Sequence, residues 1–185
     1  MKKKWGNEFM VKRRITFSAD SGEISRKDLD ETGRITEKYF RMQNDPNQIP
    51  ATKKNKDWFF KNALDYLNII RCGNKIIGYA FLLPCNDILM ERFTSGKINE
   101  AELFENIKKI KVNDPPDSMY LCASVIEKDF RGEGLATSAF VKTISKVMSN
   151  KKERPVLFYW EYSKEGTKLA KRIAKITDLE LRKRK

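Results

Sequence analysis

The stretch Ser124-Val-Ile-Glu-Lys-Asp-Phe-Arg-Gly-Glu-Gly-Leu-Ala-Thr137 decides how the rest of the chain is interpreted. It begins in an apolar run at 119–126 that shows no alternation, which predicts a central strand covered on both faces. Gly132 and Gly134 then predict a tight turn, and apolar residues from 134 to 148 recur at helical spacing. The stretch therefore predicts a buried strand, a glycine turn and a long helix.

Such a turn is suited to holding an anion. Glycines let the backbone adopt positive φ and approach a ligand closely, and the first amides of a helix have no intrahelical partner. The helix dipole adds partial positive charge, so the turn suits a pyrophosphate. A dinucleotide fingerprint would need glycine where Thr137 stands, and no Gly-Lys-Ser/Thr of a Walker A loop follows Gly134. Glycines that serve the turn geometry alone remain the alternative.

The flanking sequence predicts a mixed α/β single domain. Strand-like and helix-like segments alternate along it, with Ser25 as a helix N-cap, Gly73-Asn74 as a hairpin turn and Pro84 as a strand end. The expected strands are 13–18, 67–72, 75–83, 119–126 and 154–160, and the expected helices are 25–42, 57–64, 87–111 with a break at Ser95-Gly96, 134–148 and 164–176.

Composition excludes several kinds of chemistry. The 185 residues include 38 Lys and Arg against 25 Asp and Glu, a net charge of +13, and no histidine. A Ser-His-Asp triad, a His-ligated zinc site and a His-ligated haem are therefore excluded, and we expect no metal. The basic excess is either solvated surface charge or a field that attracts a polyanion.

Cysteine usage and hydropathy bear on the compartment. The three cysteines, Cys72, Cys85 and Cys122, are odd in number and widely spaced, as in a reduced cytoplasmic protein. No apolar run is long enough to span a bilayer, and no apolar segment follows the basic N-terminus. We therefore expect a cytoplasmic protein with no signal peptide and no membrane association.

The hexapeptide Arg131-Gly-Glu-Gly-Leu-Ala136 resembles the Arg/Gln-x-x-Gly-x-Gly/Ala signature of the GNAT superfamily of N-acetyltransferases. The apolar strand before it and the long helix after it stand where that family places them. The resemblance covers residues 15–176 in element order, and only 121–140 is specific. It implies an α/β fold, a single-domain mixed sheet with helices on both faces over 1–185, with a helical insertion at about 87–111.

The resemblance also implies a reaction. Acetyl-CoA would donate its acetyl group directly to a primary amine of a small molecule or peptide, with no covalent enzyme intermediate and no metal. Backbone groups of Ser124, Val125 and Ile126, on a splayed fourth strand, would bind the pantetheine arm. Arg131 would shape the turn, and Ser163 stands where the family often has Asn. The residues at the pyrophosphate would be Gly132, Glu133, Gly134, Leu135, Ala136 and Thr137.

The chain departs from the family near its end. Ala170 stands where such enzymes often carry a tyrosine that acts as general acid, so that acid is missing. Only residues 177–185 follow the last predicted helix, where the family usually has two strands. We expect shortened C-terminal strands, with one short strand at 177–181 and a basic tail at 181–185. A homodimer partner would be one way to cover the remaining edge.

An attacking amine must lose a proton, which calls for a carboxylate. Glu127 follows the central strand and Glu161 follows the next one, so both are catalytic candidates, with ion-paired surface carboxylates as the alternative. Tyr120 and Tyr162 are candidate acids, with core or rim aromatics as the alternative. Two other functions stay open: a CoA-binding protein without catalysis, and a basic module that binds nucleic acid, which is not favoured because no RNA-binding motif accompanies the charge.

Overall fold

A computed structural model describes residues 14–40, 45–111, 115–149 and 152–185, and shows a mixed α/β domain. Its six-stranded sheet follows chain order, antiparallel from the first strand to the fourth and parallel from the fourth to the sixth. The expected fold class is confirmed. The strands are β1 (Ile15–Phe17), β2 (Leu67–Cys72), β3 (Lys75–Cys85), β4 (Ser118–Ile126), β5 (Val156–Tyr159) and β6 (Leu181–Lys183).

Helices cover both faces of the sheet, as expected. The helices are α1 (Ser18–Ser21), α2 (Arg26–Phe40), α3 (Lys53–Asn62), α4 (Asp87–Thr94), α5 (Glu100–Ile107), α6 (Leu135–Val147) and α7 (Lys164–Thr177). On one face α1, α6 and α7 cover a core that includes Leu82 and Leu157. On the other face α2 to α5 cover side chains that include Leu83 and Phe158. Neighbouring residues of one strand thus point into hydrophobic cores on opposite faces of the sheet.

Local capping sets where the first long helices begin. The Ser25 N–H donates to Asp28 Oδ2 at 2.8 Å, and the Asp28 N–H donates to Ser25 Oγ at 3.3 Å. This reciprocal cap confirms Ser25 as the N-cap of α2. Helix α3 begins four residues before the predicted start, because Thr52 accepts a hydrogen bond from the Asn55 N–H at 3.2 Å. The predicted end of α2 at residue 42 lies outside the described residues.

The prediction that Pro84 ends its strand is wrong. Strand β3 continues to Cys85, with Pro84 opposite Met119 of β4. On its other side β3 pairs with β2 only as far as Phe81, so no described strand lies beside that edge at Pro84. A proline, which has no N–H to donate, is tolerated at such an edge.

The C-terminal segment also differs from the prediction. Thr177 ends α7, Asp178 takes a left-handed conformation with φ of 53°, and β6 lies at Leu181–Lys183 rather than at 177–181. The first three residues of the expected basic tail therefore belong to the sheet. Arg184 donates to the carbonyls of Phe93 and Ile98 at 3.2 Å, and its guanidinium lies over the rings of Phe93 and Trp160.

The insertion predicted at 87–111 forms α4 and α5, broken near Gly96 as expected. Asn99 and Glu102 form a capping box at the start of α5. Leu103, Phe104 and Ile107 of α5 are buried in the core beside β4 and β5. This packing brings the first residue of α5, Glu100, under the protein surface.

Candidate functional site

Strands β4 and β5 separate after a short paired stretch. They pair only from Ser118–Val156 to Tyr120–Phe158, whereas β4 runs on to Ile126. Within the described residues, one edge of β4 has no neighbouring strand from Leu121 onward, so the backbone groups that point to that side have no ladder partner there. Ser124, Val125 and Ile126 lie on this unpaired edge, and the splay that the resemblance implied is present.

A β-bulge lies where the two strands begin to separate. Phe81 pairs with Ala123 but Leu82 pairs with Leu121, which leaves Cys122 as an extra residue in β4. A bulge of this kind redirects side chains. Tyr120, Cys122 and Ala123 consequently all line the same cavity. Nothing in the sequence indicated the bulge.

At the far end of β4 the glycine turn is open. Gly132 and Gly134 have φ values of 85° and 74°, and a Cβ on either would have no atom within 4 Å, so they serve the backbone conformation rather than tight packing. Helix α6 begins at Leu135 with no side-chain cap and no acidic residue in its first turn. Residues 131–134 are exposed. The arrangement leaves a helix N-terminus available to an anion.

Arg131 fixes this turn to the end of β4. Its Nε donates to the Ile126 carbonyl at 2.9 Å, and its guanidinium lies 5.0 Å from the centre of the Tyr39 ring. The side chain therefore connects the turn to β4 and α2, and the role in shaping the turn that the resemblance implied for it stays a prediction. The exposed Glu133 carboxylate is in the same turn.

A cavity of about 190 Å³ lies between α2, α3 and the sheet. Most of its lining is apolar, with Phe59 of α3 and Phe81 of β3 among the larger side chains. Its lining also includes residues on both sides of the gap between the strands: Cys122 and Ala123 on β4, and Trp160 and Tyr162 after β5. A molecule in this cavity could therefore meet a second molecule bound along the unpaired edge of β4.

Glu100 contributes a carboxylate to this cavity and is only 8% exposed. Its Oε1 accepts from the Tyr120 hydroxyl at 2.8 Å, its Oε2 accepts from the Ile49 N–H at 3.3 Å, and Cys122 Sγ lies 4.0 Å from Oε1. Burial raises the pKa of Glu100, and the hydrogen bonds from Tyr120 and Ile49 oppose that rise only in part. Burial likewise raises the pKa of Tyr120 and of Cys122.

Sequence reasoning missed Glu100. An acidic residue in the first turn of a helix is ordinarily explained by the helix dipole, and that position gives no sign of burial. The available signal was Tyr120 in a strand buried on both faces, because a buried tyrosine hydroxyl usually finds a polar partner.

The two predicted catalytic carboxylates are ion-paired and do not line the cavity. Glu127 accepts from the Tyr39 hydroxyl at 3.0 Å and from Lys38 Nζ at 3.3 Å. Partial burial acts to raise the pKa of Glu127, but these hydrogen bonds outweigh it and leave the pKa lowered. Glu161 pairs with Lys183, which lowers its pKa. Both carboxylates have the surroundings of ion-paired surface groups, and a catalytic role for either stays a prediction.

Three further predicted residues, Ser163, Ala170 and Tyr162, lie on α7 or just before it. Ser163 Oγ accepts from the Gly166 N–H at 3.0 Å, so Ser163 is the N-cap of α7. Ala170 is 3% exposed and offers no hydroxyl. Tyr162 is 61% exposed at the rim of the cavity and brings a phenol to the gap between β4 and β5.

The described part of the chain shows neither a metal-binding cluster nor a membrane-spanning helix. Residues 14–40, 45–111, 115–149 and 152–185 contain no cluster of three or more Cys, Asp or Glu side chains that could hold a metal ion. Within the same ranges, no helix has the length and apolar character to cross a membrane.

The likeness of this chain to known proteins is one of structure. No family model matches the chain, and no curated protein matches its sequence. Among solved structures, the chain is similar to an aminoglycoside acetyltransferase from an uncultured soil metagenomic sample, crystallised with trehalose. The TM-score is 0.47 and the identity 14%, over 89% of this chain and 86% of that one. A likeness of this size does not establish a function for this chain.

Proposed function

We propose that this protein is an acetyl-CoA-dependent N-acetyltransferase that transfers the acetyl group directly to a primary amine. The observation that carries the proposal is the unpaired edge of β4, which runs from the cavity at Cys122 to Ile126, where Arg131 connects it to the open glycine turn before α6. One continuous backbone segment thus joins a cavity for an acceptor to a turn for a phosphate.

The residues along this edge fit the donor. The amide groups of the pantetheine arm would pair with the free backbone groups of Ser124, Val125 and Ile126, as an added strand would. The pyrophosphate would accept hydrogen bonds from the amides between Gly132 and Thr137, where no side-chain cap or first-turn carboxylate competes. The thioester would then lie at the bulge, next to the cavity.

The reaction needs no histidine. The acceptor nitrogen attacks the acetyl carbonyl carbon, a C–N bond forms, the C–S bond breaks, and the electron pair of that bond leaves on sulfur. Of the three ammonium protons, one stays on the amide nitrogen, one is taken up by sulfur and one passes to a base or to water. Free backbone N–H groups on the unpaired edge of β4 would stabilise the charge that develops on the carbonyl oxygen.

The first experiment is thermal unfolding with and without acetyl-CoA, at about 150 mM salt to screen surface charge. Acetyl-CoA at about 100 times its dissociation constant should stabilise the protein by roughly 2.7 kcal/mol. ATP and NAD at the same concentration are the controls, and each should raise the unfolding temperature by less than acetyl-CoA does. An equal shift with all three, or none with acetyl-CoA, would contradict the proposal.

Turnover separates an enzyme from a protein that only binds CoA. We expect release of free CoA thiol when acetyl-CoA and a suitable primary amine are both present, and no release above background with acetyl-CoA alone. Acetyl-CoA binding without thiol release across a broad set of amines would favour the non-catalytic alternative.

A further inference from the structure

Glu100 is a buried carboxylate that forms no salt bridge within the described part of the chain, and Arg184 acts on it only from beyond salt-bridge distance. It is more than nine-tenths buried, and no described Lys or Arg side chain forms an ion pair with it. Burying an ionised carboxylate is unfavourable unless it is paired and hydrogen-bonded. A positive group inside the cavity would compensate the charge that Glu100 carries once it ionises.

The carboxylate also has spare hydrogen-bonding capacity. Two ionised oxygens can accept about four hydrogen bonds. Within the described residues Glu100 accepts one from Tyr120 and one from Ile49, and the Cys122 thiol lies at the limit of contact. These contacts fix the orientation of the carboxylate and leave oxygen lone pairs for a donor in the cavity.

The remaining lining suits an apolar body with a single charge. Among the described lining residues Glu100 is the only acidic one, and the one lysine, Lys56, is paired with Asp30 at 3.0 Å. A second ammonium group would be buried here without a counter-charge. A dry cavity of about 150 Å³ holds benzene, so about 190 Å³ has room for one ring or a short branched chain.

Resting on the proposed function, we infer that the acceptor is a small primary amine with one ammonium group on an apolar body, and that Glu100 binds this ammonium and takes its proton. The proton passes from nitrogen to Glu100 Oε, which leaves a neutral amine. The nitrogen lone pair then forms the C–N bond as the C–S bond breaks. Sulfur takes up the second proton, and Glu100 returns the first to water.

Direct binding tests this inference independently of turnover. Calorimetry with 2-phenylethylamine, 2-phenylethanol and spermidine, each with and without CoA, compares a monoamine with its uncharged analogue and with a polyamine. We expect Glu100→Gln to weaken phenylethylamine binding by about tenfold or more and to change phenylethanol binding less than about twofold. We expect spermidine to bind more weakly than phenylethylamine to the natural protein.

Glu105→Gln is the matched control, because Glu105 lies on the same helix, is exposed, and pairs with Lys108. This variant removes the same charge and should leave phenylethylamine affinity unchanged. An equal loss of phenylethylamine affinity in both variants would show a general electrostatic effect and would contradict the inference. Equal phenylethylamine affinity in Glu100→Gln and the natural protein would overturn the inference, and so would phenylethanol binding as tight as that of the amine.

A pH series on the natural protein keeps the inference testable if Glu100→Gln does not fold. Because burial raises the pKa of Glu100 above 4.5, phenylethylamine affinity should rise as the pH increases from 4.5 and Glu100 ionises, while phenylethanol affinity should not. The other titratable or charged groups that act on Glu100 are Tyr120, Cys122, Asp45 and Arg184. Repeating the series in Asp45→Asn identifies any contribution from Asp45, and a flat amine profile would overturn the inference.

Failure of this inference is distinguishable from failure of the proposed function. Acetyl transfer to spermidine, with phenylethylamine binding that does not depend on Glu100, would refute the acceptor class and support the enzyme. Glu100-dependent amine binding without any acetyl-CoA binding would support the amine site and refute the acetyltransferase.

Discussion

The glycine turn and the cavity lie at opposite ends of the unpaired part of β4, and they are built in different ways. The turn is a contiguous exposed segment at 131–134 that offers backbone groups to a ligand. The cavity is assembled from segments between Leu29 and Tyr162, and offers apolar side chains and one buried carboxylate. A phosphate can be held by backbone amides that a short motif supplies, whereas an acceptor is selected by side chains that only the folded chain brings together.

The largest effect should come from closing the turn. In Gly134→Asp the new carboxylate would accept from the free amides at the start of α6 and occupy the anion site. We expect acetyl-CoA affinity measured by calorimetry to fall by about 100-fold, or about 2.7 kcal/mol. Phenylethylamine binding should be retained.

The control for that variant is Gly96→Asp. Gly96 has a similar positive φ of 79° and equally open surroundings, but it lies between α4 and α5. The backbone strain is matched, so undiminished acetyl-CoA affinity is expected there. If both variants bind acetyl-CoA equally well, the turn does not hold the phosphates.

A second variant disturbs the backbone that connects the two regions. A Cβ on Gly78 would lie 2.4 Å from the Val125 carbonyl oxygen, so β3 and β4 would have to move apart. We expect Gly78→Ala to lower the free energy of unfolding by about 1–3 kcal/mol in urea denaturation. It should also weaken the binding of both ligands.

Gly33→Ala serves as its counterpart. Gly33 is within α2, and its Cβ would meet only the flexible end of Lys56, at 3.4 Å. Alanine favours a helix over glycine by up to about 1 kcal/mol. A stability loss in Gly33→Ala as large as that in Gly78→Ala would show that the close approach of β3 and β4 is not the cause.

A third variant changes the cavity and leaves the glycine turn unchanged. Tyr120→Phe removes the hydroxyl that donates to Glu100 at 2.8 Å and leaves the carboxylate with one hydrogen bond fewer. We expect unfolding free energy to fall by about 1–2 kcal/mol and phenylethylamine affinity to fall about threefold. Acetyl-CoA affinity should not change, and a parallel loss of both affinities would mean that the two regions are coupled.

The smallest effects are expected at the carboxylates outside the cavity. Glu127 and Glu161 are each paired with a lysine, which lowers the pKa of both and makes them weaker bases than Glu100. We expect Glu127→Gln and Glu161→Gln to change kcat by less than about threefold with 2-phenylethylamine as acceptor. A much larger drop in kcat for either variant would restore it as the catalytic base.

Local features of the fold were predictable, and features set by long-range packing were not. Ser25 as a cap, the Gly73-Asn74 hairpin turn and the start of α6 depend on neighbouring residues and were predicted correctly. The continuation of β3 through Pro84 depends on which edge lacks a partner, and β6 depends on where α7 ends. Neither feature can be predicted from the neighbouring residues in the sequence alone.

The candidate site divides in the same way. The turn and the position of Arg131 follow from a short motif and the strand before it. Glu100 is distant in sequence from Tyr120, and it reaches the cavity only because α5 packs beside β4. Single-sequence reasoning places such a residue on a helix but does not determine which neighbour covers it.

The bulge at Cys122 makes the direction of side chains along β4 depend on one residue. Before it, Tyr120 points to the cavity, and after it the odd-numbered Ala123 does so as well. If β4 kept strict alternation through Cys122, with no bulge, Ala123 and every later side chain of the strand would point to the opposite face. A one-residue insertion at such a point could therefore add a side chain to the cavity lining during evolution, while the residues before and after it kept their partners in β3.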